Sequence, residues 1–116
     1  MRIIDHHIMG LASGTAARTG EVFDPNTGAV QAQVKFGTQA DLDAAVAAAQ
    51  KAQPGWAATN PQRRARVMFN FKALVEAHMD ELAHLLSSEH GKVIADSKGD
   101  IQRGLEVIEF CCGIPH

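Results

Sequence analysis

At 116 residues, 46% of them hydrophobic, the chain is sized for one modest soluble domain or a piece of a larger one. Eleven Lys and Arg against thirteen Asp and Glu give a formal charge of -2, with one Trp and no Tyr to stack on bases, so nucleic acid is not an expected partner. No run of about 18 apolar residues is present to span a bilayer, and Met1 to Gly10 carries too short an apolar stretch for a signal peptide; the expectation is no membrane partner and a cytoplasmic location, or the mitochondrial matrix if an upstream targeting segment was removed.

Residues 1–37 read as strands and a hairpin. The first twenty, rich in Gly, Ala, Ser and Thr, hold one short strand at best, around Ile3, Ile4 and Ile8, and are otherwise loop. In Val22 to Val34 the sequence Asp24-Pro25-Asn26-Thr27-Gly28 supplies a fixed φ, side-chain turn acceptors and a residue tolerant of positive φ. Val30, Ala32 and Val34 then alternate with Gln31 and Gln33, as a half-buried strand should.

Three helices follow, over 38–53, 60–90 and 96–112. Thr38 and Asp41 form a capping-box-like start, Leu42, Ala45, Val46 and Ala49 make a narrow stripe, and Gln53-Pro54-Gly55 ends the first helix. Asn60-Pro61 opens the second as cap and first position, with Val67, Phe71, Leu74, Val75, Leu82, Leu85 and Leu86 at spacings of three and four. A break is expected near His78 and a left-handed stop at Gly91. The third starts near Asp96, carries Ile101, Leu105, Ile108 and Cys112 on one stripe, and ends at Gly113-Ile114-Pro115. No repeat, low-complexity tract or linker interrupts the chain, so 1–116 reads as one unbroken span.

The chemistry is sparse. Cys111 and Cys112 are adjacent, which makes a strained and useless staple, and a reducing compartment fits. Neither they nor His6, His7, His78, His84, His90 and His116 show the spacing of a zinc site, so no metal is expected and the cysteines read as packing residues. No phosphate-binding or nucleophile-elbow motif is present. Glu89-His90-Gly91-Lys92 could be a proton-transfer cluster, but reads more simply as a solvated helix end.

The third helix is less easily explained. Gly99 lies near its start, whereas Gly104 costs about 1 kcal/mol against alanine in the interior and would admit a ligand or a second backbone closely. Arg103 beside it offers a planar fork, either for the carboxylate of a small acidic substrate or for a salt bridge with Asp100 or Glu106.

Several segments occur in one register. They are Val22-Phe23-Asp24-Pro25-Asn26-Thr27-Gly28, Asp41-Leu42-Asp43-Ala44-Ala45-Val46 leading to Trp56, Arg63-Arg64, Leu82 to Leu85, and Glu89-His90-Gly91-Lys92. With Gly99 to Phe110 and Cys111-Cys112-Gly113-Ile114-Pro115, they resemble the N-terminal part of the aldehyde dehydrogenase superfamily. Within it the closest likeness is to the CoA-acylating methylmalonate-semialdehyde dehydrogenases.

The resemblance implies an α/β parent with nucleotide-binding, catalytic and oligomerisation parts, assembled as dimers of dimers. This chain would be its mainly helical N-terminal piece with a β-hairpin. It implies oxidation of malonate or methylmalonate semialdehyde with NAD, through a cysteine thiohemiacetal and thioester, and release of acetyl-CoA or propanoyl-CoA, in the breakdown of valine, pyrimidines or inositol. The nucleophilic cysteine, the oxyanion-hole asparagine and the dinucleotide-holding segments would lie downstream. The chain alone is therefore expected to be inactive, to bind neither NAD nor coenzyme A, and to leave apolar faces bare that the rest of the parent covers. One residue carries over as substrate-binding: Arg103, in Gly-x-x-x-Arg-Gly, would hold the semialdehyde's carboxylate. The alternative is a free-standing helical module that docks on intact subunits.

Overall fold

The computed structural model describes residues 1–12 and 18–116; the loop expected over 13–17 lies outside the described residues. The chain groups into two compact units, Met1–Ala57 and Ala58–His116, a finer grouping than the unbroken span that composition suggests.

The first unit is built on β1 (Arg2–Ile4), β2 (His7–Ile8), β3 (Leu11–Ala12), β4 (Thr19–Phe23), β5 (Val30–Lys35) and α1 (Gln39–Ala58). β4 and β5 form the expected antiparallel hairpin, with a register shift between Val22 and Phe23. Its connection is held as the turn residues dictate. The Asp24 carboxylate accepts from Asn26 N at 2.8 Å, Gly28 N donates to the Asp24 carbonyl at 2.8 Å, and Gly28 takes a φ of 74°. Ala32, fully buried on β5, is the sheet's centre.

Two features correct the sequence reading. The N-terminal stretch forms three short strands where at most one was expected. β1 runs parallel to β5, pairing Ile3 with Gln33, and so makes the hairpin a three-stranded sheet. β2 and β3 form a separate two-residue hairpin whose turn, Met9 (φ 57°) and Gly10 (φ 74°), has both central residues left-handed. The first helix does not stop at Gln53-Pro54-Gly55: α1 runs to Ala58 with Pro54 inside it. A proline forfeits one backbone bond and strains the preceding turn without preventing helical φ, so its cost is borne and a further turn forms. The start is the expected box. Thr38 N donates to the Asp41 carboxylate at 2.8 Å, and Asp41 N to Thr38 Oγ1 at 3.2 Å. α1 has no buried residue; the stripe position Leu42 is 56% exposed.

The second unit is helical: α2 (Pro61–Ala77), α3 (Met79–His90) and α4 (Ile94–Cys112), with α4 packed against both α2 and α3. Asn60 caps α2 by accepting from Gln62 N at 2.9 Å. The break falls at His78, whose φ and ψ are -107° and 17°, while backbone bonds from His78 N to the Leu74 carbonyl and from Leu82 N to the His78 carbonyl bridge it. Asp80 and Glu81 then occupy the favourable first turn of α3. Gly91 ends α3 in the left-handed conformation, φ 87°, donating to the Ser87 carbonyl at 2.8 Å. α4 begins two residues before the expected Asp96, because Val93, extended, accepts from both Asp96 N and Ser97 N and serves as the cap.

Ala65, Ala83, Ser97, Leu105 and Cys112 are buried in this unit. Three are small, which permits close helix approach. The large apolar residues are largely outside: Val67, Phe69, Phe71, Leu74, Val107 and Phe110 are all exposed, Phe110 by 75%. Among the described residues no helix is long and apolar enough to cross a membrane.

Candidate functional site

α4 positions Arg103 by its periodicity. Ser97, Leu105 and Cys112 are buried, and Ile94, Ile101 and Ile108 are half-buried, at spacings of three and four that define the packed stripe. At about 100° per residue, Arg103 stands two positions from both Ile101 and Leu105 and so falls on the opposite, exposed face. Asp100 precedes it by three residues on that side and Glu106 follows by three. Gly104 is open: a Cβ built there meets no heavy atom within 4 Å. The close approach that this glycine would allow is made by no described element.

The charged side chains of α4 are divided unevenly. Lys98 Nζ reaches Asp80 of α3 at 2.7 Å. Lys92, the first residue after the Gly91 stop, donates to the Asp100 carboxylate. Arg103 and Glu106 make no side-chain hydrogen bond or ion pair with a described residue. The sequence alternative of an Arg103 bridge to Asp100 or Glu106 is thereby corrected. Asp100 is taken by Lys92, which can reach it because the chain reverses at Gly91. Glu106 is C-terminal to the arginine, the weaker order for a helical pair. The hydrogen bond from Lys92 holds the Asp100 carboxyl below its ordinary range, with the charges of Lys92, Arg103 and His90 acting the same way.

Of the other sequence candidates, Lys92 hydrogen-bonds into this group and His90 acts on it by its charge. Glu89 and His90 lie exposed on the last turn of α3. Cys112 is 5% exposed on the packed stripe and Cys111 is half-buried beside it, both as free thiols. Among the described residues no group of three or more His, Cys, Asp and Glu could hold a metal ion. The helix starts do not suit a dinucleotide's pyrophosphate, which needs free backbone donors and no competing anion. Asp41, Asp80 with Glu81, and Asp96 occupy the first turns of α1, α3 and α4, and α2 opens on Asn60 and a proline. No step of a dinucleotide reaction is therefore assigned to these residues. Sequence reasoning missed the Lys92–Asp100 link; its only trace there is a pair of opposite charges eight residues apart across a helix-stopping glycine.

The likeness to known proteins extends through both units. The model of the aldehyde dehydrogenase family matches residues 12–116. Malonate-semialdehyde dehydrogenase 3 of Geobacillus kaustophilus is 44% identical over 103 residues, covering 89% of this chain and 21% of the relative. The chain thus spans about a fifth of the length of the curated relatives it matches. Among solved structures, a protein of Sinorhizobium meliloti assigned as a methylmalonate-semialdehyde dehydrogenase and complexed with NAD matches with a TM-score of 0.97 and 56% identity, over 100% of this chain and 24% of that one. The methylmalonate-semialdehyde dehydrogenase of Oceanimonas doudoroffii matches with a TM-score of 0.97 and 43% identity, over 99% and 24%. A family match that takes in the β4–β5 hairpin and the four described helices, the one bearing Arg103 among them, leaves one assignment: the chain belongs to the aldehyde dehydrogenase family, with its fold.

Proposed function

We propose that this chain is the N-terminal part of an NAD-dependent, CoA-acylating dehydrogenase of malonate or methylmalonate semialdehyde, and that Arg103 holds the substrate's carboxylate. The observation that carries this reading is the exposed Arg103 guanidinium, which forms no ion pair with a described residue although acids stand one turn away on either side. A planar fork takes a carboxylate through two parallel hydrogen bonds. Held at that end, the substrate is left with its aldehyde pointing in a fixed direction, and an uncharged aldehyde forfeits the contact. The names of the similar proteins agree with an acidic semialdehyde as substrate.

On this reading the full-length protein works as a soluble homo-oligomer, and the dinucleotide, the coenzyme and the nucleophile are held by residues beyond those of this chain, which is inactive by itself. The test is Arg103→Leu in the full-length enzyme. Loss of such a charge-assisted contact costs about 1.5–3 kcal/mol in all, so the KM for methylmalonate semialdehyde should rise about 10- to 100-fold while that for propanal moves little. Equal effects on the two substrates would overturn the assignment.

A further inference from the structure

Resting on the reading of Arg103 as the carboxylate-holding residue, we propose that Lys92 is a positioning residue for it. By holding Asp100, Lys92 keeps that acid off the Arg103 guanidinium and leaves the fork free for the substrate.

Asp100 is the natural competitor. It lies three residues before Arg103, the spacing at which helical side chains meet, and on the N-terminal side, the favoured order for an acid preceding a base. Its side chain is 47% exposed and so retains the freedom to swing. Of the two lysines near it in sequence, Lys98 is committed to Asp80, and Lys92 is the one that engages it. Lys92 is well placed to do so. It follows the left-handed Gly91, so the chain turns back along the start of α4, and its side chain is only 23% exposed. Three cationic or titratable groups act on Asp100, namely Lys92, Arg103 and His90, and only Lys92 hydrogen-bonds to it.

Removing the lysine has two effects of the same sign. Asp100 becomes free to pair with Arg103, which alone weakens substrate binding about twofold. It also stands unneutralised within a turn of the incoming carboxylate and repels it, the more so in a site closed from water. Together these predict a rise in KM of roughly three- to tenfold for an acidic substrate and none for a neutral one.

The test uses the full-length enzyme and compares KM and kcat for methylmalonate semialdehyde and propanal. Lys92→Met should raise the semialdehyde KM roughly three- to tenfold with the propanal constants within about twofold of wild type. Lys92→Gln, which keeps a polar side chain of similar reach, should do the same and serves if the methionine variant folds poorly. Lys92→Arg should retain the wild-type KM. The double variant Lys92→Met/Asp100→Asn should return the semialdehyde KM to near wild type, a rescue that a merely structural lysine would not give. An unchanged KM in both neutral variants, or a double variant as impaired as the single, overturns the positioning role while leaving Arg103 in place. If Arg103→Leu affects both aldehydes alike, the underlying reading falls and the positioning role falls with it.

Discussion

Ser87 Oγ and Ser97 Oγ lie 2.7 Å apart where α3 meets α4. Ser97 is fully buried, and Ala83, one turn before Ser87, is fully buried as well. The helices can approach closely because the side chains between them are small, and the buried Ser97 hydroxyl finds its partner in that of half-buried Ser87. Removing the Ser87 hydroxyl strands that of Ser97, whereas removing both leaves nothing unsatisfied. Ser87→Ala should therefore destabilise the protein by about 1–3 kcal/mol, and Ser87→Ala/Ser97→Ala by clearly less than the sum of the two single changes. Ser97→Val should cost a further 1–3 kcal/mol or so by overpacking. Urea unfolding midpoints measure all four; additive single changes would show that the two hydroxyls do not depend on each other.

Three ion pairs make the fold's stability depend on pH in a definite direction. Lys35 donates to Asp5 at 2.7 Å, Lys98 pairs with Asp80 at 2.7 Å, and Lys92 holds Asp100. In each case the hydrogen bond from the lysine holds the carboxyl below its ordinary range. A carboxyl depressed in the folded state contributes stability above the unfolded value, about 3.9, and loses it as pH falls through the folded value. Lys72 is shifted the other way: its hydrogen bond to Glu76, at 2.7 Å, raises it. Its contribution is complete below the unfolded value, about 10.4, and is lost as pH rises through the folded one. These groups together leave a plateau between roughly pH 5 and 10. The pairs lie at the surface, Lys35–Asp5 partly covered and the others more open, so each effect is small. Asp80→Asn should lower the Tm at pH 7, and the gap to wild type should close as pH falls toward 2. A gap that persists undiminished at pH 2 would mean that the ion pair is not its cause.

How much of this could be read from the residues follows from how local each feature is. The Asp24 to Gly28 turn, the Thr38 box, the Asn60 cap and the Gly91 stop are settled by neighbours within five residues, and sequence reasoning reaches them. The parallel pairing of β1 with β5 joins residues about thirty apart, and nothing in Arg2–Ile4 announces its partner. The β2–β3 turn puts Met9 where Asn or Asp would have been the signal. Pro54 misled because a proline's cost is a matter of degree, and α1 accepts it. At the candidate site, the identity of Arg103 and its exposure on α4 follow from type and period. That it forms no ion pair with a described residue does not, since that depends on a lysine brought across the Gly91 reversal to Asp100.

Gly104 separates what the helix needs from what a neighbour or ligand needs. Its backbone is helical and the space where a Cβ would go is open. In the 116-residue chain the glycine therefore has only its conformational cost, and Gly104→Ala should stabilise by about 0.5–1 kcal/mol, raising helicity and the urea midpoint together. On the proposed function, a backbone or a substrate that uses this gap in the full-length enzyme would meet the new methyl. The same substitution should then leave the chain more stable while raising the semialdehyde KM or lowering kcat. Circular dichroism on the chain and steady-state kinetics on the full-length enzyme give the two readings. Loss of stability in the chain would mean that Gly104 is already packed there. Unchanged kinetics in the enzyme would mean that nothing approaches α4 at this point, and that the glycine serves no contact there.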